Sequence, residues 1–164
     1  MTKAIAVGTA AFLVAVGPAL AAISPVPRTQ QQELKALLTQ IGAPDLALVP
    51  TVAPAHFGYE SYSVSGSPPG LDVSLTDKRF RKTQAEALAH EISFDSAYLK
   101  GTVRSCSNGA RETVKVGRKL LYSNGGSVWR CFRTARGRVV ITAAHGHLSL
   151  PGLAALVASA RAVQ

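Results

Sequence analysis

The sequence predicts an α+β domain in which helices pack on one face of an antiparallel β-sheet made of short, hairpin-connected strands, with one disulfide. Three observations lead to this prediction. Segments of alternating polar and apolar residues, separated by turn residues, fill the middle of the 164-residue chain. Segments with helical spacing of apolar residues flank them, and Cys106 and Cys131 are the only cysteines. Grouped strands with helices outside the group are typical of α+β architecture.

The N-terminal segment has the features of a secretory signal peptide. Lys3 precedes an apolar run, Pro18 interrupts that run, and the small residues before and at Ala21 match a cleavage site. We therefore expect residues 1–21 to be a signal peptide that is cleaved after Ala21. The alternative is an uncleaved anchor, because the uncharged residues 4–27 are long enough to span a bilayer. We expect a secreted, periplasmic or envelope protein with no membrane span after cleavage.

Export decides how the two cysteines are interpreted. In an oxidising compartment a lone pair of cysteines most often forms a disulfide. We therefore predict a Cys106–Cys131 disulfide, with two buried free thiols or a catalytic role as the alternatives. Closing a loop of this length stabilises a fold by about 3 kcal/mol in the chain-entropy model.

The predicted disulfide also constrains the topology. As first and fourth strands of a flat meander, the segments that carry Cys106 and Cys131 would lie about 14 Å apart. A disulfide needs Cα atoms about 4.4 to 6.8 Å apart. Either the segment around Cys106 leaves the meander and folds back over it, which we favour, or the sheet curls strongly.

After the signal peptide, the chain divides into a proline-interrupted arm, residues 22–54, and an α+β domain, residues 55–164. The arm contains one amphipathic helix, for which Thr29 is the predicted cap, Gln32 completes a capping box and Gly42 marks the end. Such a helix usually packs on a core, and a partner-binding helix is the alternative. Its apolar stripe consists of Leu34, Leu37, Leu38 and Ile41.

The α+β domain begins with two-residue alternation from His56. A turn at residues 67–70 separates HFGYESYSVSG from LDVSLTD, which predicts a hairpin. Thr83 with Glu86 forms a second capping box, which predicts a short helix in TQAEALAHEI. Ser149 caps the predicted C-terminal helix, with Pro151 in its first turn. Between these helices, turn residues such as Asn-Gly separate predicted strands in TVRSC, RETVKV, KLLYS, SVWRCFR and RVVITAA.

The C-terminal part of the chain resembles a known type of domain. In SVWRCFRTARGRVVITAAHGHLSLPGLAALVAS, a Trp-bearing strand, a turn and a second strand lead to a Ser-started helix that ends in Ala-Ser. This pattern is similar to a small extracellular domain of unknown function, found on the outer side of bacterial membrane-bound sigma-factor regulators and in free secreted proteins. The resemblance covers residues 57–161 and implies an α+β sensor or binding domain without catalytic residues. The cytoplasmic partner-binding segment of those regulators is not found, which argues against regulation of a sigma factor.

Basic residues predict a binding surface for anions. The chain has a formal net charge of +9, and its basic residues concentrate after position 77. Wall polymers with phosphate groups, acidic glycans or anionic lipid head groups are the expected partners, since an exported protein would meet nucleic acid only nonspecifically. The alternative is a merely solvated surface. The candidate anion-binding residues are Lys78, Arg79, Arg81, Lys82, Arg130, Arg133, Arg136 and Arg138.

Histidines provide the metal-binding hypothesis. His145 and His147 would project to one side of an extended chain, and His90 or Glu91 could supply a third ligand for zinc or copper. The alternative is a solvated strand-to-helix turn. We expect no cofactor.

Catalytic motifs give no support for an enzyme. The sequence has no nucleophile elbow, phosphate-binding loop or dinucleotide fingerprint, and Asp72 and Asp77 would face opposite sides of a strand. Trp129 is expected to pack near the disulfide, with a ligand-stacking role as the alternative. We predict a secreted, non-enzymatic binding or sensor domain that contacts an anionic envelope component. The alternatives are a protein-interaction module that uses the N-terminal helix, and a histidine-based metal-binding protein or metal-dependent enzyme.

Overall fold

A computed structural model of the chain describes residues 20–21, 24–80, 83, 85 and 89–164. The predicted signal peptide therefore lies outside the described residues except for its last two positions, which form strand β1. Most of the helix predicted from Thr83 lies outside them as well. Within the described part, no helix is long and apolar enough to cross a membrane.

Seven antiparallel strands form the main sheet. Along the sheet their order is β4, β5, β6, β10, β9, β8, β7, so β4 and β7 are its edges and β6 pairs with the last strand of the meander. These strands are β4 (Phe57–Gly66), β5 (Pro69–Asp77), β6 (Glu91–Tyr98), β7 (Glu112–Val116), β8 (Lys119–Ser123), β9 (Ser127–Arg133) and β10 (Val139–Gly146). Short strands make two further pairs: β1 (Leu20–Ala21) with β3 (Ala53–Pro54), and β2 (Leu48–Val49) with β11 (Arg161–Ala162).

Helix α1 (Arg28–Gln40) begins one residue before the predicted cap. The predicted capping box is wrong, because Pro27 occupies the N-cap and Thr29 lies inside the first turn, where its side chain makes no capping bond. The predicted end is confirmed. Gly42 has a φ of 72°, and the N–H groups of Gly42 and Ala43 donate to the carbonyl oxygens of residues 39 and 38, which is a Schellman motif.

Helix α2 (Leu150–Ser159) has Ser149 at its N-cap and a proline in its first turn, as predicted, but the Ser149 hydroxyl makes no capping bond. Residues 153–158 of α2 are all buried. Both helices pack on the same face of the sheet, here called the helix-covered face. The predicted fold class, an antiparallel sheet with helices on one face and one disulfide, is confirmed.

The N-terminal arm shares its core with the sheet. Leu34 and Leu38 of α1 are fully buried, whereas Leu37 and Ile41 are 41% and 37% exposed, so half of the apolar stripe packs inward. The core also includes Val26, Leu46 and Ala53 of the arm, strand residues such as Val73, Phe94 and Val140, and Leu153, Leu156 and Val157 of α2.

Strand β6 was not predicted from the sequence. Its first two residues were assigned to the end of the helix that starts at Thr83, and the remaining ones to no element. The strand forms because β5 and β10 hydrogen-bond to it on both sides, and because Ile92, Phe94 and Ser96 alternate toward the core.

The segment TVRSC is not a strand, contrary to the prediction. Cys106 lies in a 3₁₀ turn (Val103–Ser107) that leaves the meander and folds back over β9. There it forms a disulfide with Cys131, with 5.9 Å between the Cα atoms. The expectation that this segment folds back, rather than that the sheet curls, is confirmed.

Candidate functional site

An open cleft of about 620 Å³ lies at the end of the sheet where β5 ends, β6 begins and β10 leads into α2. We call it the end cleft. The chain reaches it through a 3₁₀ turn (Lys78–Phe80) and through the turn before α2. Its polar and aromatic lining consists of His56, Phe57, Asp77, Arg79, Phe80, His90, His147 and Ser149.

Asp77 and Arg79 form the charged centre of the end cleft. The Asp77 carboxylate is 3% exposed and accepts bonds from the Arg79 side chain, from Nε at 3.0 Å and from Nη2 at 2.6 Å. It also accepts a bond from the Arg79 backbone N–H at 3.0 Å. The hydrogen bond from the Arg79 side chain is the main reason why the pKa of Asp77 falls to about 2. This pair fixes the direction of a guanidinium that is otherwise largely exposed.

Three imidazoles surround this pair. His56 Nε2 lies 3.5 Å from an Asp77 oxygen. His90 stacks on the Phe80 ring with 3.8 Å between centroids, and the His147 ring lies 5.9 Å from His90. The end cleft therefore offers several hydrogen-bonding groups around one oriented cation.

Gly146 separates the two histidines on which the metal hypothesis was based. Its φ is 124°, and a Cβ atom here would collide with the carbonyl oxygen of Glu91. Because this residue ends the extended conformation, His147 enters the end cleft while His145 lies beside Asp95, 3.3 Å from its carboxylate. The side chains of His145 and His147 therefore do not point to the same side, although an extended chain predicts that they would. Across the described ranges, no three His, Cys, Asp or Glu side chains are placed to hold a metal ion.

The predicted anion-binding residues divide between the two ends of the sheet. Arg79 lines the end cleft, and Lys78 precedes it in the same turn. The basic residues of the β9–β10 hairpin, beyond the far end of β6, are Arg133, Arg136 and Arg138. The eight residues of β6 put about 25 Å between the two groups. Arg81 and Lys82 lie outside the described residues.

At the hairpin, each arginine makes contacts within the fold. Arg133 donates to the Gly137 carbonyl oxygen at 2.8 Å. Arg136 lies 4.0 Å from the Asp45 carboxylate, and the Arg138 guanidinium lies 4.8 Å from the centroid of the Tyr98 ring. Arg130 belongs to neither group: it is half-buried on the helix-covered face, with its guanidinium 4.8 Å from the Phe132 ring centroid.

The opposite face of the sheet, here called the open face, carries a row of polar side chains that sequence reasoning missed. Asp72 and Asp95 are directly opposite each other on β5 and β6. Their carboxyl groups are hydrogen-bonded, Ser93 donates to Asp72, and His145 lies beside Asp95. Burial, followed by the hydrogen bond and the charge of Asp72, raises the pKa of Asp95 to about 7. The Asp95 carboxyl group therefore keeps its proton up to near neutral pH.

A neighbouring part of the open face is covered by the disulfide-linked turn. Trp129 is 8% exposed, and its Nε1 donates to the carbonyl oxygen of Cys106 at 2.7 Å. The predicted packing of Trp129 near the disulfide is confirmed. Asp72 and Asp77 lie on opposite faces, as expected, since Asp77 follows the core positions Leu71, Val73 and Leu75 by two-residue steps.

Comparisons with known proteins give a structural neighbour but no family. No protein-family model matches the sequence, and no curated protein matches it. Among solved structures, the chain is similar to the crystal structure of MucB in complex with MucA(peri), with a TM-score of 0.44 and 16% sequence identity. The similar region covers 71% of this chain and 36% of the MucB chain.

The residues missed by the sequence analysis belong to strands whose partners were unknown. Asp95 was overlooked because β6 was not predicted, although Ser93 and Asp95 alternate there with Ile92, Phe94 and Ser96. His56 was noted only as a histidine, without a carboxylate partner. The alternation was a usable signal, whereas the partner of His56 depends on the pairing of β4 with β5.

Proposed function

We propose that this protein is an exported, non-enzymatic binding domain that binds an anionic group of an envelope polymer, or of another exported protein, at the end cleft. The disulfide supports export, because stable disulfides form in oxidising compartments. The observation that carries the proposal is the Asp77–Arg79 pair, which holds an exposed guanidinium in a fixed direction inside an open cleft.

The other groups of the end cleft favour an anion. Lys78 precedes Arg79 in the chain and adds a positive charge beside the lining, and Asp77, the one carboxylate among the described residues of the lining, is already bound by Arg79. The N-terminus of α2 opens at the same cleft through Ser149 and adds the positive end of its dipole. The net charge around the end cleft is therefore positive, and its lining offers several hydrogen-bond donors.

Retention on immobilised polyphosphate and heparin-like matrices tests this proposal. Lys78→Gln with Arg79→Gln should lower the salt concentration at elution more than Arg133→Gln with Arg136→Gln, although each variant loses two positive charges. Equal shifts would contradict the proposal, because net charge alone would then explain retention. Since Arg79→Gln leaves Asp77 without its main partner, Lys78→Gln alone against Arg136→Gln alone repeats the comparison without disturbing that pair.

A second candidate function is protein binding through α1. It is favoured by Leu37 and Ile41, which are four residues apart and form an exposed apolar pair on a helix whose other stripe residues are buried. Leu37→Ser with Ile41→Ser should abolish binding of a protein partner while leaving anion retention unchanged. Deleting the arm would be a poor test, because Leu34 and Leu38 belong to the core.

A further inference from the structure

A polar row crosses the helix-covered face of the sheet, between apolar rows. Strand pairing places Arg130 of β9 opposite Thr142 of β10, and Thr142 opposite Ser96 of β6. Thr142 is fully buried and Ser96 is 1% exposed. The row on one side consists of Val128, Ala144 and Phe94, and the row on the other side consists of Phe132, Val140 and Tyr98.

The polar atoms of this row lack partners. Arg130 Nε, Thr142 Oγ1 and Ser96 Oγ are all buried and make no hydrogen bond. Buried polar groups in proteins are almost always bonded to protein, to ordered water or to an ion. The row is covered by α2 and the Pro44–Leu46 turn. Two neighbouring atoms, Tyr98 Oη on β6 and Asp45 Oδ2 in that turn, are also buried without a bond. The three adjacent atoms of the row therefore indicate an occupant.

The chemistry of the row selects a negative occupant. A guanidinium can only donate hydrogen bonds, and the two hydroxyl groups can donate as well. Arg130 has no carboxylate partner among the described residues, and its described contact is the ring of Phe132. Two further cations are near: burial, and then the charges of Arg130 and Arg161, lower the pKa of Lys119. The acid of the covering turn, Asp45, lies 4.0 Å from Arg136 at the hairpin, so no described ion pair neutralises Arg130. A half-buried guanidinium without a carboxylate partner favours an anion over water.

We propose that Arg130, Thr142 and Ser96 bind a small oxyanion, a carboxylate or a phosphate, between the sheet and α2. Arg130 supplies the charge and one N–H, and the two hydroxyls donate from the neighbouring strands. The three strand positions span two strand spacings, about 10 Å, so side chains from both ends of the row can reach one small ion. This site lies inside the fold and is separate from the end cleft.

The thermal unfolding of the whole protein tests the site. Acetate or phosphate is titrated at constant ionic strength against a background of gluconate, a bulkier carboxylate. We expect at least one of the two small anions to raise the unfolding midpoint along a saturating curve, because a ligand that binds only the folded state stabilises it by mass action. Acetate and phosphate serve as separate probes, and the one with the lower apparent dissociation constant identifies the class of oxyanion.

Two variants and a matched control locate the effect. Arg130→Met keeps the length of the side chain without its charge and should raise the apparent dissociation constant at least about tenfold, the loss of one charge-assisted bond. Thr142→Val should raise it several-fold, and Arg111→Met, at an exposed arginine, should leave it unchanged. The same anion response in all four proteins, or no saturating response in the wild type, would overturn the proposal in favour of ordered water only. If Arg130→Met does not fold, Thr142→Val alone decides.

Discussion

The two faces of the same sheet treat their polar side chains differently. On the open face, Ser93 bonds Asp72, Asp72 bonds Asp95, and Asp95 has His145 as its neighbour. Each group of this row finds a partner within the row. The next residue of β6, Ser96, points to the helix-covered face. There its hydroxyl makes no hydrogen bond with a described residue.

The difference shows what burial demands of a polar row. The side chains of a polar row at a solvent-accessible face can hydrogen-bond to one another and still exchange a proton with water. The protonation state of such a row changes with pH. A polar row beneath helices is out of contact with bulk water, which therefore cannot replace a missing hydrogen-bond partner. Such a row is expected to bind a water molecule or an ion. The open face is therefore expected to respond to pH, and the helix-covered face to respond to small anions.

The largest expected effect is on stability, and it follows from removing the disulfide that holds the Val103–Ser107 turn over the open face. Replacing Cys106 and Cys131 by alanine should lower the free energy of unfolding by about 3 kcal/mol, because the unfolded chain loses a closed loop. Trp129 should become more exposed, which its fluorescence would report. The wild-type protein from an oxidising compartment should show no free thiol under denaturing conditions, and two reactive thiols would refute the disulfide. The pH response of Asp95 should survive, because its partners lie on other strands.

The next effect concerns Asp77, a buried carboxylate that accepts hydrogen bonds from Arg79, unlike the polar atoms of the row formed by Arg130, Thr142 and Ser96. Asp77→Asn should lower the free energy of unfolding by about 1 to 2 kcal/mol, since it weakens charge-assisted bonds from Arg79. Because the pKa of Asp77 is lowered to about 2, its contribution is present above the ordinary carboxyl range and is lost as the pH falls through about 2. Denaturant unfolding at pH 7 and in acid checks both statements; equal stability of variant and wild type at pH 7 would contradict them.

A smaller effect sharpens the description of the open face. The pKa of Asp95 is raised to about 7, so its contribution to stability is present below pH 4 and is lost as the pH rises through about 7. Asp95→Asn keeps a neutral hydrogen-bonding side chain and should flatten this dependence, by about 1 kcal/mol after allowance for its partial exposure. His145→Gln is the control, because the His145 side chain lies 3.3 Å from the Asp95 carboxylate. A pH profile unchanged by Asp95→Asn would contradict the raised pKa of Asp95.

The smallest effect is on the stability of the protein when no small anion is bound to the polar row of Arg130, Thr142 and Ser96. In a buffer free of acetate and phosphate, Thr142→Val should change the free energy of unfolding by less than about 1 kcal/mol, and in the stabilising direction. The reason is that valine has the same shape and removes a hydroxyl that lacks a partner. A clear loss of stability in this buffer would mean that the hydroxyl is already bonded, which would remove one member of the proposed site.

Local patterns predicted most of the fold. Turn residues and alternation located the strands from β7 to β10, and the single cysteine pair correctly implied that the Cys106 segment leaves the sheet. The exceptions depend on tertiary context. Strand β6 depends on pairing with two neighbours that the sequence did not identify, although its own residues alternate. Thr29 fails as a cap because the N-cap of α1 is Pro27, two residues earlier.

The candidate sites were less predictable, because they depend on register and on distance between segments. Lys78 and Arg79 were identified by charge alone, but their distance from Arg133 and Arg136 depends on the direction of β6. The pairing of Asp72 with Asp95 requires the register of β5 against β6, which no local pattern contains. For the same reason, Arg130 was grouped with exposed arginines although alternate positions on β9 belong to different faces.

The two edges of the main sheet have a consequence for how the protein behaves at high concentration. An edge strand with unpaired backbone groups can join another chain and start aggregation. Strand β4 breaks its register between Tyr59 and Ser61, and β7 is five residues long and includes Lys115. Bulges, short edges and lysines are the features by which natural sheets oppose edge-to-edge pairing. The sheet is therefore built to resist edge-to-edge polymerisation at high protein concentration.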